Sequence, residues 1–421
     1  GTGRAIANAL LARLRAYPRR DRLAMRFGHR VDAFTTRAGR ISGLTGVTEP
    51  GGQPFEVECE SVIVASGGIN GDIERVRRHW PRDFGPAPAV ILNGSHRFAD
   101  GRLHDAAAAA GAAVTHLDWQ WNYAAGIRHW RPRKPGHGLS LVPPKSALWL
   151  NARGERIGPP PLVAGFDTRD LVARISREPG GYGWQLLNRR IALRELAVSG
   201  AEFNPAIRDF RRLRFARELL FGNRWLVDEL ARHSEDIVQA ATLPELVERM
   251  NALPGDEVVE TRAVEAAVTH YDEAIRRGPR FHNDEQLRRI AELRRWRGDR
   301  LRTCRPRPLL DRRDGPLMAI REHLISRKSL GGIRTDLGGR VLGDNGAAIE
   351  GLLAAGEARQ VVVLLRVSAI LFDQLAGAER VRHHDDGHHV GRARGDLADD
   401  QRLRLRREAQ AAMLLGDQHA K

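Results

Sequence analysis

Cysteine and long apolar segments are the scarcest features of this 421-residue chain. Its two cysteines, Cys59 and Cys304, are too few for a disulfide-rich scaffold or a four-cysteine zinc or iron–sulfur site. No apolar stretch reaches the roughly 18 residues that a membrane-spanning helix needs, and the best, Val361–Phe372, is interrupted by Arg366. A basic and then apolar signal peptide is also absent. These absences predict a protein of the reducing cytoplasm with no membrane span.

Several catalytic signatures are missing as well. The chain has no Gly-x-Ser-x-Gly elbow, no Walker loop and no His-Glu-x-x-His motif. Lysine is scarce, so the net charge of +16 comes almost entirely from arginine. Arginines near Leu287, Ile290 and Leu293 alternate with apolar residues at helical spacing, which is typical of the solvated side of an amphipathic helix. The charge therefore predicts solvated helix faces rather than a nucleic-acid partner.

The first 80 residues alternate between helical and strand-like patterns. Apolar residues recur on one face over 4–16, which predicts a helix, and His29–Thr36 and Ile41–Val47 predict the two strands of a hairpin. Glu56–Ala65 predicts a further strand whose last part, Val62–Ala65, is wholly apolar. Such a strand belongs inside a sheet, with neighbours on both sides and helices on both faces. This region is therefore expected to be α/β.

The pattern changes in the middle of the chain and then changes back. Residues 81–165 are rich in proline, glycine, tryptophan and histidine apart from a helix expected at Gly101–Ala113, and 185–300 are mostly helical. Strand-like sequence resumes at Pro316–Ile320 and Gly331–Thr335. This order predicts one α/β domain that is interrupted by an inserted second domain.

A series of short motifs resembles a known family. In chain order the motifs are Gly1–Gly3, Phe27–Asp32, Ser61–Gly68, Asn151–Gly154, Gly165–Thr168, Gly315–Arg321, Gly331–Asp336, Gly339–Val341 and Gly351–Glu357. Their order and spacing are similar to those of the fumarate reductase/succinate dehydrogenase-type flavoproteins. The best match is the branch of FAD-binding dehydrogenases that resembles 3-ketosteroid Δ1-dehydrogenases.

The resemblance implies an α/β fold in which an incomplete doubly wound FAD-binding domain is interrupted by an α+β capping (substrate) domain. The flavin ring would lie at the junction of the two domains. The expected divisions are 1–80 for the first part of the FAD-binding domain, 81–310 for the cap, 311–357 for the return segment and 358–421 for an aberrant or disordered tail.

The family's N-terminal phosphate-binding motif is not found. No Gly-x-Gly-x-x-Gly string precedes residue 60, although that turn normally holds the pyrophosphate at a helix N-terminus. Roughly the first third of the family's chain is therefore expected to be missing, in line with a chain that starts at Gly1. Two alternatives follow: an oxidoreductase that holds FAD weakly, or a non-catalytic remnant that does not retain it.

The sequence after Glu357 also departs from the family. The family continues with a glycine-rich stretch, whereas this chain has Val361–Val363 and a histidine- and aspartate-rich run at His383–His389. A one-base shift can turn a run of glycine codons into valine codons. The tail is expected to make few contacts, either because its reading frame has shifted or because it is a genuine divergent terminus, and its histidines are not expected to bind metal.

Nine residues are expected to contact FAD. They are Val31, Ala65, Ser66, Gly67, Gly68, Gly331, Gly332, Gly356 and Glu357. Glycine at a strand end permits close approach of a ligand, and a carboxylate there can accept hydrogen bonds from ribityl or ribose hydroxyls. The resemblance adds Val31, since it matches a position whose backbone touches the adenine. The alternatives are an ordinary strand-to-helix turn, an ordinary strand valine and a surface glutamate.

The candidate catalytic residues are Arg327 and Lys328. The resemblance places them beside the flavin and the substrate carbonyl, where the steroid enzymes have a tyrosine and the fumarate reductases a histidine; as cations they would stabilise enolate charge. They are otherwise two surface cations. Trp119, Trp121 and Tyr123 alternate at strand spacing and would line a flat apolar pocket, unless they belong to the core.

The function implied by these residues is FAD-dependent dehydrogenation. A hydride would pass between a substrate C–H next to a carbonyl and flavin N5, with a steroid-like or other hydrophobic ketone as substrate. The electron acceptor is not predicted.

Overall fold

The structure is a computed structural model that describes residues 3–163, 167–255 and 257–360. These residues fall into two compact units, and the larger comprises 26–198 and 211–360. The described part of the smaller unit comprises 3–25 and 199–210. Its first helix, Gly3–Arg15, confirms the helix expected over 4–16.

The described residues form the following helices and strands. The helices are α1 (Gly3–Arg15), α2 (Ile73–Arg78), α3 (Arg102–Ala109), α4 (Thr168–Arg177), α5 (Arg189–Glu195), α6 (Pro205–Arg208), α7 (Arg212–Phe221), α8 (Arg224–His233), α9 (Leu243–Asn251), α10 (Thr261–Arg277), α11 (Glu285–Leu293) and α12 (Arg297–Leu301). The strands are β1 (His29–Arg37), β2 (Arg40–Thr48), β3 (Pro54–Glu58), β4 (Val62–Val64), β5 (Ile91–Asn93), β6 (Val114–Thr115), β7 (Gln120–Arg128), β8 (Gly138–Val142), β9 (Leu148–Leu150), β10 (Tyr182–Asn188), β11 (Ala197–Val198), β12 (Ile237–Ala240), β13 (Leu317–Ser329), β14 (Gly332–Ile333), β15 (Arg340–Leu342) and β16 (Ala348–Ala354).

The larger unit contains an eight-stranded sheet built around β13. The strand order is β11-β8-β7-β13-β10-β9, and β5 and β12 also pair with β13. One face of this sheet packs Leu324 of β13 with Trp149 of β9 and Ile175 of α4 in an apolar cluster. The long strand β13 continues from this core to residues 326–329, where its register with β7 shifts between Ile325 and Lys328.

A smaller sheet has the order β15-β16-β4, with β16 and β4 parallel. Val64 of β4 and Leu352 of β16 share an apolar cluster with Ile41 of β2, Ala107 of α3 and Ile333 of β14. Residues from the first 80 positions and from the last described segment thus pack in one core, although most of the chain separates them.

The prediction of one strand over Glu56–Ala65 is wrong. The segment forms two strands, because β3 extends the β1–β2 hairpin whereas β4 pairs with β16 in a different sheet. The apolar part is also less enclosed than expected. Within the described residues β4 pairs with β16 alone, and Ile63 is 65% exposed.

The predicted return segment, 311–357, contributes to more than one sheet. Its first strand, β13, is the centre of the eight-stranded sheet, whereas β15 and β16 belong to the smaller sheet. The predicted domain boundaries stay a prediction.

The first residues of the predicted tail are packed: Ala358 is fully buried, and Gln360 accepts a hydrogen bond from the Thr115 hydroxyl at 2.8 Å. Its remainder, 361–421, lies outside the described residues together with its histidine run.

Candidate functional site

The turn after β4 connects a surface cleft with the interior. Ser66 lines a cleft of about 630 Å³ together with Val31 of β1. Gly67 follows with φ of +84°, a left-handed conformation that suits glycine. Gly68 is buried, whereas Ser66 is exposed. The cleft and the interior therefore meet at three consecutive residues that the sequence predicts as cofactor contacts.

The cleft is rich in arginine. Its lining includes Gly28, His29, Arg30, Glu49, Arg97, Phe98, Asp100, Arg102 and Leu103. Asp32 accepts hydrogen bonds from Arg30 Nε and from Arg102 Nη1, each at 3.0 Å, and the Arg30 bond is the main cause that lowers the pKa of Asp32. The Arg97 guanidinium lies 4.5 Å from the centre of the Phe98 ring. Guanidinium groups beside an aromatic face suit a phosphorylated, ring-bearing ligand.

Gly68 and Glu357 come together across β13. The Ile69 amide donates to Ser329 Oγ at 2.8 Å, and the Ser329 amide donates to Glu357 Oε1 at 2.9 Å. A Cβ atom on Gly68 would lie 2.1 Å from Ser329 Oγ and 3.1 Å from Glu357 Oε1. Only glycine fits between these groups, so Gly68 allows the carboxylate of Glu357 to reach the end of β13.

The Glu357 carboxyl is half-buried beside two cations. Burial raises its pKa, while the hydrogen bond from the Ser329 amide and the charges of Lys328 and Arg327 act in the opposite direction. The neighbouring Gly356 and Ala65 are exposed. A half-buried carboxyl at a strand end, with one oxygen held by an amide, can accept hydrogen bonds from ligand hydroxyls.

A buried polar network supports this arrangement, and the sequence did not predict it. Asn70 is fully buried, accepts a hydrogen bond from Ser329 Oγ at 2.5 Å and donates one to Ser326 Oγ at 2.8 Å. Its position directly after the Gly67–Ile69 turn is the one signal that could have identified it. Ser326 and Ser329 are three positions apart, a spacing that puts side chains on opposite faces of a regular strand, but the register of β13 with β7 shifts between Ile325 and Lys328. Both serines therefore reach the same asparagine because β13 is irregular where it passes the turn.

The predicted catalytic and substrate residues share one pair of strands. Lys328 of β13 stands opposite Trp121 of β7, and its Nζ lies 5.9 Å from the centre of that ring. The Arg327 guanidinium lies 5.8 Å from the centre of the Tyr123 ring. Burial lowers the pKa of Arg327. The structure thus brings Arg327, Lys328, Trp121 and Tyr123 together, next to Ser329 and hence to Glu357.

The remaining predicted residues contact other parts of the protein. The Trp119 ring stacks on His116 with 4.2 Å between ring centres, and the Trp119 carbonyl accepts a hydrogen bond from the Leu330 amide at 2.8 Å. A Cβ on Gly331 would lie 1.7 Å from the His116 carbonyl oxygen, and one on Gly332 would lie 2.6 Å from the backbone oxygen of residue 358. Both glycines therefore face backbone.

A lysine that the sequence did not single out lies beside Arg327. Lys134 Nζ donates to Asn93 Oδ1 at 2.8 Å and to the Ser95 carbonyl. The pKa of Lys134 is lowered to about 8, mainly by burial and secondly by the charge of Arg327. Its loop between β7 and β8 carries no recognisable motif, so only the fold brings it to this site.

Comparison with known families decides the class of this chain. Residues 1–364 match the family described as FAD binding domain. The chain belongs to this family. It is 38% identical to a KsdD-like steroid dehydrogenase of Mycolicibacterium smegmatis, in a match that covers 85% of this chain and 67% of that protein. It is 39% identical to a KsdD-like steroid dehydrogenase of Mycobacterium tuberculosis, covering 65% of that protein. The family prediction is confirmed, and so is FAD as its cofactor.

Solved structures with little sequence identity share the fold. One is the open conformation of a flavocytochrome c3 fumarate reductase, with a TM-score of 0.53, 15% identity and coverage of 83% of this chain and 50% of that chain. Another is a 3-ketosteroid Δ1-dehydrogenase from Sterolibacterium denitrificans, with a TM-score of 0.53, 16% identity and coverage of 79% and 54%. The chain thus spans about two thirds of the curated relatives and about half of these structures.

The described residues fit FAD at two places. The arginine-rich cleft beside Val31 and Ser66 offers guanidinium groups and the Phe98 ring to a nucleotide. Two of its three arginines, Arg30 and Arg102, also pair with the acids Asp32, Glu49 and Asp100. The close approach at Gly68, which a Cβ would fill, leaves the Glu357 carboxyl accessible to ligand hydroxyls. In the part of the chain that the structure describes, no helix is long and apolar enough to cross a membrane.

Proposed function

We propose that the protein is an FAD-dependent dehydrogenase that acts on a steroid-like hydrophobic ketone, with hydride passing between flavin N5 and a substrate C–H next to the carbonyl. The observation that carries this proposal is the convergence of Arg327, Lys328, Trp121, Tyr123 and Glu357 at the end of β13. The steroid class is supported by the names of the curated relatives. The family match favours this function over a remnant that does not retain FAD.

In this proposal the cofactor is held by the residues that fit it. Arg30, Arg97 and Arg102 of the cleft would contact its phosphates, Val31 its adenine and Glu357 its hydroxyls. When bound, FAD supplies the group that accepts or returns the hydride. The expectation that this chain holds FAD weakly stays a prediction. The affinity for FAD depends on how many charge-assisted hydrogen bonds the cleft can form with the phosphates.

The substrate would lie against the β7–β13 strand pair. Trp121 and Tyr123 offer flat apolar surface, and Arg327 and Lys328 are the cations nearest to them. These cations would stabilise the negative charge that develops on the carbonyl oxygen while a base takes the proton of the α carbon and the hydride leaves the neighbouring carbon, so that a C=C bond forms between them. Half-buried cations are effective in this role, since water screens their charge less than it would at the surface.

The experiment separates cofactor binding from turnover. The purified chain is titrated with FAD while flavin fluorescence is followed, and the FAD-loaded protein is then mixed anaerobically with a 3-ketosteroid while the visible flavin band is recorded. We expect saturable FAD binding and loss of the flavin band on addition of the steroid. Saturable FAD binding with a flavin band that no ketone or enone changes would contradict the proposed reaction.

Matched variants test the residue assignment. Arg327→Gln is expected to keep FAD binding and to lower the rate of flavin reduction about a hundredfold, as loss of one charge-stabilising donor does in other sites. Arg334→Gln is the control, because Arg334 is an exposed arginine a few residues along the same segment. Equal rates in the two variants would remove Arg327 from the proposed role.

A further inference from the structure

Two cations beside the proposed substrate surface form no ion pair with any acid among the described residues. Arg327 Nη1 donates to the Gly94 carbonyl at 3.2 Å, and Lys134 Nζ donates to Asn93 Oδ1 and to the Ser95 carbonyl. All these acceptors are neutral and belong to three consecutive residues. Among the described residues neither cation forms an ion pair, whereas Lys145 Nζ lies 3.0 Å from Asp299 Oδ1.

This arrangement is unfavourable until a negative charge arrives. Both side chains are half-buried, and the charge of Arg327 acts on Lys134 in the direction that disfavours its protonated form. The carboxylate whose charge reaches Arg327 is Glu357, and one of its oxygens is already held by the Ser329 amide. Partly desolvated like charges repel each other, and an anion that contacts both Lys134 and Arg327 would be attracted to each of them and would offset this repulsion.

The position of the pair favours the substrate over the cofactor as the source of that anion. Arg327 projects from β13 beside the Tyr123 ring, on the strand pair that carries the proposed substrate surface. The cleft assigned to the nucleotide has three arginines of its own, Arg30, Arg97 and Arg102. Neither Lys134 nor Arg327 lines that cleft.

We propose that Lys134 and Arg327 form a carboxylate-binding subsite, and that the substrate is a hydrophobic ketone that also carries a carboxylate. This inference rests on the proposed function, since it names the substrate class for the same site. Both cations hydrogen-bond to the same short segment, residues 93–95, and two neighbouring donors match a carboxylate, which accepts hydrogen bonds on both oxygens.

Because the chain has four lysines, Lys134 can be observed directly. Protein grown with lysine carrying carbon-13 at Cε gives four side-chain NMR signals, which Lys→Arg variants assign. The probes are 3-oxo-4-androstene-17β-carboxylic acid and its uncharged methyl ester, each added to the chain with and without FAD. We expect the acid to shift the Lys134 signal and raise its titration midpoint, and the ester to leave both unchanged.

Variants give the matching binding measurement. Lys134→Gln is expected to weaken binding of the acid about tenfold or more, which corresponds to loss of one charge-assisted hydrogen bond, and to change binding of the ester less than about twofold. Lys145→Gln is the control, since Lys145 is paired with Asp299. Lys134→Arg keeps the charge and should retain most of the affinity for the acid.

Several results would overturn the inference. The first two are equal binding of acid and ester by the unaltered chain, and no binding of either. The third is an equal loss of affinity for the acid in the Lys134→Gln and Lys145→Gln variants. The fourth is a shift of the Lys134 signal on addition of FAD alone, which would assign the pair to a cofactor phosphate. The measurement requires no turnover. A chain that binds the acid through Lys134 but never reduces its flavin would contradict the proposed reaction and leave the subsite standing.

Discussion

Two glycine pairs, Gly67-Gly68 and Gly331-Gly332, have the same expected role in the sequence and different surroundings in the structure. Gly331 and Gly332 are pressed against the backbone of residues 115–116 and 358–359. Gly67 and Gly68 instead border Ala99 and the side chains of Ser329 and Glu357, at the edge of the arginine-rich cleft. One pair faces backbone, and the other faces buried Ala99 and Ser329 together with the half-buried carboxyl of Glu357.

The comparison shows what a Gly-Gly motif does and does not establish. A missing Cβ signals that something approaches closely, but the sequence does not say whether that is a cofactor or the protein's own backbone. The atoms nearest to Gly331 and Gly332 are backbone, whereas those nearest to Gly68 are side-chain atoms of Ser329 and Glu357. Substitutions in the two pairs should therefore differ in kind, one affecting stability and the other ligand binding.

The largest effect is expected for Gly331→Ala. The added Cβ would overlap the His116 carbonyl oxygen and carbon, at 1.7 Å and 2.2 Å, so β14 would have to separate from β6. We expect a loss of about 4 kcal/mol or more in the free energy of unfolding, measured by urea denaturation. Gly298→Ala is a suitable control, because no atom lies within 4 Å of its Cβ position and its φ is not positive. Equal stability of the two variants would show that the backbone contact is not tight.

The core around the Gly331-Gly332 pair should also respond to acid. His104 lies on α3, is 1% exposed, and burial lowers its pKa to about 4. Because the folded protein binds this proton less readily than the unfolded chain, stability falls as the pH drops from about 6.5 to about 4. The loss should reach about 3 kcal/mol. Urea denaturation of the unaltered chain and of His104→Gln across this range measures it.

The control for this acid effect is His29→Gln, since His29 is exposed. The His104 variant should lose most of the pH dependence, and the His29 variant should keep it. If the unfolding free energy of His104→Gln follows the same pH curve as that of the unaltered chain, other groups account for the acid sensitivity.

A smaller effect, on binding rather than stability, is expected for Gly68→Ala. Its Cβ would displace the Ser329 hydroxyl and crowd the Glu357 carboxyl. FAD affinity, from fluorescence titration, should fall about tenfold, the equivalent of one hydrogen bond to the carboxyl. Adding Ser329→Gly removes the overlapping atoms and should restore part of the affinity. A double variant that binds no better than Gly68→Ala would show that the overlap is not the cause.

The smallest effect is expected for Gly67→Ala. Its φ of +84° costs an alanine about 1 kcal/mol, and its Cβ would meet the Ala99 Cβ at 3.2 Å, a tight contact but not an overlap. Urea denaturation should show a correspondingly small loss of stability, with FAD affinity changed less than by Gly68→Ala. A larger loss of affinity than in the Gly68 variant would place the cofactor closer to Gly67 than we propose.

Local sequence patterns predicted helices and hairpins that contacts between near neighbours form. The apolar periodicity over 4–16 and the hairpin at residues 29–47 correspond to α1 and to β1–β2, because hydrogen bonds between near neighbours and a tight turn form these elements. The apolar run Val62–Ala65 was misleading in one respect: Ile63 is exposed. An apolar sequence shows that a strand can be buried, but it does not show which neighbouring element covers it.

By itself the sequence determined the family, the cofactor and most of the residues around the proposed site, because these depend on motifs whose order along the chain is visible. The tertiary structure decided which of those residues act together. Asn70 and Lys134 belong to no recognisable motif. Asn70 contacts Ser329 because β13 passes the turn after β4, and Lys134 lies near Arg327 because β13 also passes the β7–β8 loop. Contacts between residues far apart in the chain arise from packing, which one-dimensional patterns do not encode.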